Sequence, residues 1–187
     1  MKKRQTGRPT GSESTRADIL RAAREAFGSG GFDGTSLRSV AMKARVDPST
    51  VIHFFGTKEG LFEALARDIV PALQPLINAI ERRAPGTELV KIYLQIWEDE
   101  GNGYAMRALI RTSIGSERAL ALFKTTITKN ILQALPSARP IGAELAMMQL
   151  IAIGLGRHIV RLPELSRTEL GLIAKLVGPV LDRYLSL

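Results

Sequence analysis

The chain has 187 residues, 45% hydrophobic and 24% charged, which is the composition of an ordinary globular protein and not of a disordered or collagenous one. It has no cysteine, and its two histidines lie far apart with no ligand spacing. Disulfides, thiolate metal sites and thiol redox sensing are therefore excluded, and no metal or cofactor is expected. The net charge of +8 is concentrated at one end: residues 1–60 hold 11 Lys/Arg against 6 Asp/Glu, while the remaining 127 hold 15 against 12, a bias that favours a polyanionic partner.

Residues 1–11 read as a flexible basic arm, since Lys2-Lys3-Arg4 and Gly7-Arg8-Pro9 have no apolar anchor among them. Two readings stay open: an arm that lays Arg8 in a DNA minor groove while its lysines track phosphate, or a solvated tail that touches nothing. The basic start runs into GRPTGSEST and not into an apolar stretch, so no secretory signal is expected and the cytoplasm is the expected location.

A first helix is expected over roughly 13–29, entered through Ser12, with Ile19, Leu20, Ala23 and Phe27 as its apolar stripe and Gly28-Ser29-Gly30-Gly31 as its exit. Residues 35–59 then read as two short helices meeting at a sharp turn. Leu37, Val40, Ala41 and Ala44 give the first its buried face, and Thr35 or Ser36 caps it. Asp47 caps the second, with Pro48 at its first position, where a missing N–H costs nothing. Val51 and Phe55 turn inward, which leaves Ser49, Thr50, Ile52 and His53 outward. That is a face suited to a DNA major groove, although an ordinary helical hairpin fits the same spacing. Thr57 caps a fourth helix carrying Leu61, Phe62, Leu65 and Ile69, with Lys58 in its first turn, where an ammonium can face a phosphate.

This stretch resembles the TetR family of bacterial transcriptional repressors. The matching residues are Thr15-Arg16, Ile19-Leu20, Ala22-Ala23, Phe27, Gly31-Phe32, Thr35-Ser36, Val40-Ala41, Val46, Ser49-Thr50-Val51, His53-Phe54-Phe55 and Lys58-Glu59-Gly60-Leu61. The resemblance implies that Thr35, Ser36, Ser49, Thr50, Ile52, His53 and Lys58 fall at operator-contact positions. It also implies a homodimer whose C-terminal domain senses a small molecule. Two residues depart from the pattern. Arg45 stands where the family usually has a turn glycine, so a slightly altered turn is expected, with the guanidinium aimed at phosphate. Ile52 replaces the usual tyrosine and should change which bases are read.

Beyond about residue 60 the chain continues as helices, and strand-like alternation is nearly absent, so the fold class is all-α. The expected architecture is an N-terminal three-helix helix-turn-helix domain (12–60) joined to a C-terminal helical bundle for effector binding and dimerisation (61–187), about nine helices in all. Pro71 and Pro75 should end or kink the fourth helix near Val70, with helix resuming through Leu76–Arg83. Thr87 should cap a helix closed by Gly101-Asn102-Gly103. Helices over 104–114 and 116–135 follow, then a pair over 141–161 and 167–186 with Pro163 at the corner. LVKIYLQIWED and GLGRHIVRLPELS also resemble one C-terminal subgroup of TetR-like regulators.

The helix over 141–161 is apolar on every face, so it should be covered on all sides, partly by a second subunit. Gly154 and Gly156 would let two helices approach. The interface is expected through Ile151, Leu155, His158, Val177 and Leu181, forming a four-helix bundle about a two-fold axis. No apolar run approaches the ~20 residues of a membrane span, since the longest candidate, Leu145–Leu155, contains Gln149 and Gly154. Tyr93, Trp97, Tyr104, Met106, Phe123, Met147 and Met148 are candidates for lining an effector pocket, although helical aromatics and methionines serve core packing far more often. Glu98-Asp99-Glu100 either attracts a cationic ligand or is simply solvated.

The expected function is sequence-specific DNA binding by a transcriptional regulator, a repressor released from a pseudo-palindromic operator on double-stranded DNA by a small-molecule effector. The alternative is an architectural DNA-binding protein with little sequence preference and no effector. No cysteine nucleophile, metal spacing, glycine-rich phosphate loop or serine-elbow motif supports an enzyme.

Overall fold

The computed structural model describes residues 11–125, 129–134 and 140–186, and among these every regular element is helical. The helices are α1 (Gly11–Gly30), α2 (Leu37–Ala44), α3 (Pro48–Phe55), α4 (Lys58–Asp68), α5 (Val70–Glu81), α6 (Gly86–Glu98), α7 (Glu100–Ile114), α8 (Glu117–Phe123), α9 (Lys129–Ala134), α10 (Pro140–Leu155), α11 (Pro163–Arg167) and α12 (Leu170–Leu185). A π-helical turn, Gly156–Val160, continues α10. The all-α expectation holds, with twelve described α-helices in place of about nine. The fourth helix breaks at Ile69, α8 and α9 are the described helices within the stretch expected at 116–135, and the Pro163 corner is itself a short helix.

Local chemistry sets most boundaries. Pro71 lies in the first turn of α5, where its missing N–H has no intrahelical partner to lose, so helix resumes at Val70 and not at Leu76; Pro75 is accommodated inside it. Asp99 accepts the Asn102 N–H and starts α7 at Glu100, so Gly101 and Gly103 open that helix instead of closing α6. The start of α6 is Gly86 with Pro85 before it, not Thr87. Its N-terminal N–H is capped from a distance, by the Asp182 carboxylate of α12 at 2.6 Å.

One continuous apolar core runs through both halves of the chain. At the N-terminal end Phe27, Phe32 and Phe62 meet with ring centroids 5.4–5.9 Å apart, binding α1, the α1–α2 connection and α4 into a unit. The buried Leu61 and Leu65 carry this core along α4, and Arg24 of α1 pairs with Asp68 at the end of α4. Farther on, α12 lies along α6 so closely that a Cβ on Gly178 would sit 2.4 Å from the Thr87 nitrogen, and one on Gly86 would sit 2.2 Å from the Gly178 carbonyl oxygen. Glycine is the residue that fits on both sides of this contact.

The stretch Pro140–Val160 forms 21 residues of continuous helix, with mean hydropathy 1.3 over its most apolar 18, long and apolar enough to cross a bilayer by length and composition alone, although the sequence suggests no apolar run beyond Leu145–Leu155. In the folded chain it packs on α6, α9 and α12.

Candidate nucleic-acid interface and ligand cleft

The helix-turn-helix is set by its caps. Ser36 accepts the Ser39 N–H while the Ser39 hydroxyl accepts the Ser36 N–H, a reciprocal box at the start of α2. Arg45 ends α2 in the left-handed conformation, φ 57° and ψ 43°, and Val46 N–H then bonds back to the Ala41 carbonyl at 3.0 Å. The turn expected to be altered by Arg45 is therefore kept. The arginine carries the strain of a positive φ, on the order of 1–2 kcal/mol. Its exposed guanidinium has no ion-pair partner among the described residues.

Asp47 starts α3 by accepting both the Ser49 N–H (2.8 Å) and the Ser49 hydroxyl. These two bonds hold the Asp47 carboxyl below its usual pKa, so it stays ionised. Val51 is fully buried and Phe55 half-buried beneath the Arg16 guanidinium. Ser49, Ile52 and His53 are exposed, Ile52 by 53%, and Thr50 is half-buried. Four of the expected contact residues thus lie on one short helix, with its apolar residue Val51 locked into the core.

Two others are placed differently. Thr35 is buried, and its hydroxyl donates to the Gly31 carbonyl at 2.7 Å, so its side chain braces the α1–α2 connection and does not face outward. The Lys58 ammonium donates to the Phe32 carbonyl at 2.9 Å and lies 4.6 Å from the centre of the Phe32 ring, which turns it toward the same connection. Ser36 is exposed. Arg8 lies outside the described residues. Arg38 and Met42 are also exposed on α2, where they share a shallow groove with Ser36, Ser39, Val46 and Pro48.

The residues considered for an effector pocket divide. Tyr93, Trp97, Met106, Phe123 and Met147 are buried, whereas Tyr104 and Met148 are exposed. Tyr93 meets Trp97 edge-on at 6.2 Å, and Trp97 stacks flat on His158 at 5.0 Å. Gly154 lies against the indole, where a Cβ would come within 2.5 Å of it, so this glycine admits Trp97 of the same chain and not a partner helix. Among the described residues the Tyr93 hydroxyl, Trp97 Nε1 and His158 Nε2 make no hydrogen bond of normal geometry; burial pushes the Tyr93 phenol far above its ordinary pKa, against a weaker opposing pull from the Trp97 N–H. Glu98 pairs with Arg157 at 2.9 Å and Asp99 caps α7, so two members of the acidic run already have partners within the chain.

A cleft of about 930 Å³ opens instead between the last turn of α1, α7 and the π-helical turn with α11. Gly28, Ser29, Tyr104, Ala108, Pro163 and Ser166 line it together with His158 and five arginines: Arg107, Arg111, Arg157, Arg161 and Arg167. Of the pocket candidates it includes Tyr104 alone; His158 belongs to the residues expected at the dimer interface. The arginines were legible as two i, i+4 pairs, 107/111 and 157/161, but α7 and the π turn meet only in the fold.

Among the residues expected at a dimer interface, Leu181 is fully buried within its own chain and is corrected to a core residue; Ile151, Leu155, His158 and Val177 are half-buried. The exposed apolar residues of the same helices are Ile141, Leu145 and Met148 on α10 and Leu172, Leu176 and Val180 on α12.

This arrangement, a capped helix-turn-helix on a helical bundle, has known counterparts. Residues 19–65 match the profile of the bacterial regulatory proteins of the tetR family, and residues 84–185 match that of the tetracyclin repressor-like C-terminal domain. The chain belongs to the TetR family, whose members are DNA-binding transcriptional regulators with ligand-binding C-terminal domains. It is similar to the HTH-type transcriptional regulator BetI of Burkholderia cenocepacia, 38% identical over 71 residues, a match that spans 38% of this chain and 35% of that protein. Its fold resembles a TetR-family regulator from Streptomyces coelicolor A3 (TM-score 0.67, 26% identity, 96% of this chain and 99% of that one). It also resembles the multidrug binding protein EbrR, solved with malachite green (TM-score 0.66, 19% identity, 90% and 96%).

Proposed function

We propose that this chain is a homodimeric, sequence-specific transcriptional repressor that binds a pseudo-palindromic operator and leaves it when a small molecule occupies the C-terminal half. The observation that carries the reading is the outer face of α3: Ser49, Ile52 and His53 are exposed on a helix fixed at one end by Asp47 and Pro48 and along its length by the buried Val51. Serine can bond base edges or phosphate, isoleucine can press on a thymine methyl, and imidazole can bond a base edge. Ser36, Arg38 and Arg45 flank that face as phosphate contacts, while Thr35 and Lys58 act from behind by holding the α1–α2 connection.

The dimer is assigned to residues 61–187, through the exposed apolar faces of α10 and α12. Ile141, Leu145 and Met148 recur at i, i+4, i+7, and Leu172, Leu176 and Val180 at i, i+4, i+8, which makes two parallel stripes of the kind a four-helix bundle buries. Two-fold symmetry would then set the two copies of α3 one helical turn apart along DNA. The protein is proposed to act in the cytoplasm, where its operator lies.

Selection of bound duplexes from a random library tests this directly. The expected product is an inverted repeat with half-site centres about 10–10.5 base pairs apart or a multiple of it. Equal affinity for selected and random duplexes would instead favour an architectural DNA-binding protein without an effector.

A further inference from the structure

The cleft between α1, α7 and the π turn brings five guanidinium groups together with no acidic residue in its lining. Arg157 is the one built into the fold: its Nε donates to Glu98, and one Nη donates to the carbonyls of Leu165 and Thr168. Arg167 lies 3.8 Å from Glu164, in a loose pair in which both side chains are almost fully exposed. Arg107, Arg111 and Arg161 have no ion-pair partner among the described residues. Like charges that line one cleft without counter-charge repel one another, and an anion seated among them relieves that repulsion.

Three further features point the same way. His158 sits at the cleft wall with its side chain only 12% exposed; its buried Nε2 lies 3.8 Å from a Glu98 carboxylate oxygen and makes no hydrogen bond among the described residues. Arg161 is held in the left-handed region, φ 58°, at the end of the π-helical turn; a strained residue and a π turn coincide where a ligand would be gripped. Finally, the Tyr104 ring, Ala108 and Pro163 give the lining an apolar side next to the charged one, with the Arg107 guanidinium 5.9 Å from the centre of the Tyr104 ring.

We propose that this cleft is the effector site, and that it takes a small organic anion: a carboxylate or phosphate on an aromatic or aliphatic body. The charged group is held by Arg107, Arg111 and Arg161, and the body lies on Tyr104. The effector role rests on the reading of this chain as a ligand-released repressor. The anion would touch Gly28 and Ser29, the last turn of α1, whose neighbour Phe27 packs on Phe32 and Phe62 beneath the helix-turn-helix. An anion that draws the π turn and α11 onto the packed α1–α7 pair therefore acts on the element that carries the DNA-reading helices, with no need for a relay through the bundle.

Trp97 is the only tryptophan and stacks on His158, so its fluorescence reports on the cleft. The full chain is titrated with phenyl phosphate and with benzoate, with benzyl alcohol as the uncharged counterpart, all at constant ionic strength. A saturable change with either anion and none with benzyl alcohol is expected, with at least a tenfold weaker Kd in Arg107→Gln/Arg111→Gln at unchanged helicity and melting temperature. The better anion should also weaken binding to the library-selected duplex at least tenfold. Equal response to the alcohol, or an unchanged Kd in the double variant, overturns the anion site. Anion binding without any change in duplex affinity overturns its effector role. If the double variant loses duplex affinity in the absence of anion, the arginines serve DNA phosphate and the proposal falls. Failure to select any preferred duplex sinks the repressor reading alone, since the fluorescence titration needs no DNA.

Discussion

The Thr112 hydroxyl donates to the Phe27 main-chain carbonyl at 3.1 Å, a fully buried bond that ties the middle of the chain to the helix preceding the DNA-reading pair. Phe27 O also accepts the Gly31 N–H at 2.9 Å, so losing one donor does not orphan it. Thr112→Val, similar in shape but without the donor, should therefore cost only about 1 kcal/mol in urea unfolding. The same variant should show a smaller anion-induced loss of duplex affinity, because α7 and α1 are then less firmly joined. An unchanged response would show that the coupling does not pass through this bond.

Arg45 sits at a position that favours glycine and keeps a charge there. Arg45→Gly relieves the left-handed strain but frees the unfolded chain, so the net gain should be small, about 0.5–1 kcal/mol. Duplex affinity should fall for all sequences alike, with the slope of log affinity against log salt reduced by about one. A variant that loses both stability and base preference would contradict this division of roles.

His53 and Lys58 should separate cleanly. The exposed His53 meets Phe54 edge-on and has no hydrogen bond or ion pair among the described residues, so His53→Ala should leave stability within about 0.5 kcal/mol. It should relax discrimination at one base pair by about 1–3 kcal/mol. Lys58→Ala removes a charged donor from the Phe32 carbonyl and should lower unfolding stability by about 1–2 kcal/mol. Its effect on DNA binding should be the same for every sequence. Urea melts beside a binding matrix of single-base operator variants would show either pattern.

Met148→Glu with Leu176→Glu places charges in the two exposed apolar stripes, and neither residue is part of the chain's own core. Light scattering at micromolar concentration should report a monomer of unchanged helicity, with affinity for a full palindrome falling to that for a half-site. A persistent dimer would move the interface elsewhere.

Burial holds the His158 imidazole below its ordinary pKa; Glu98 opposes the shift, while Arg157 and Arg107 reinforce it. The folded state therefore binds fewer protons here than the unfolded chain. The contribution is fully present above the unfolded value of about 6.5 and is lost as pH falls through the lower folded value. The urea midpoint should drop between about pH 7.5 and about pH 5.5, and His158→Phe, which preserves the stack on Trp97, should flatten that part of the curve. An identical drop in the variant would assign the effect to other groups.

The parts of this molecule that are legible in its sequence are those fixed by neighbours in the chain. Ser36, Asp47 with Pro48, and Thr57 announce α2, α3 and α4, because a cap acts within three residues. The start of α6 is not legible, since its cap, Asp182, lies 96 residues away. For the same reason Thr35 and Lys58 look like outward-facing contacts until the α1–α2 connection closes over them. The apolar character of α10 is plain, but a helix apolar all round does not say which stripe its own chain covers. The charged cleft draws on residues some fifty positions apart, and the apolar residues singled out for a pocket proved mostly to be core.

The contact of Gly86 with Gly178 leaves no room for a methyl group on either side, and the Asp182 cap lies beside it. Two rods seated that tightly cannot slide along one another, so α6 and α12 move as one body. With the proposed dimer seam on α12, any swing of the reading heads would turn about this fixed post.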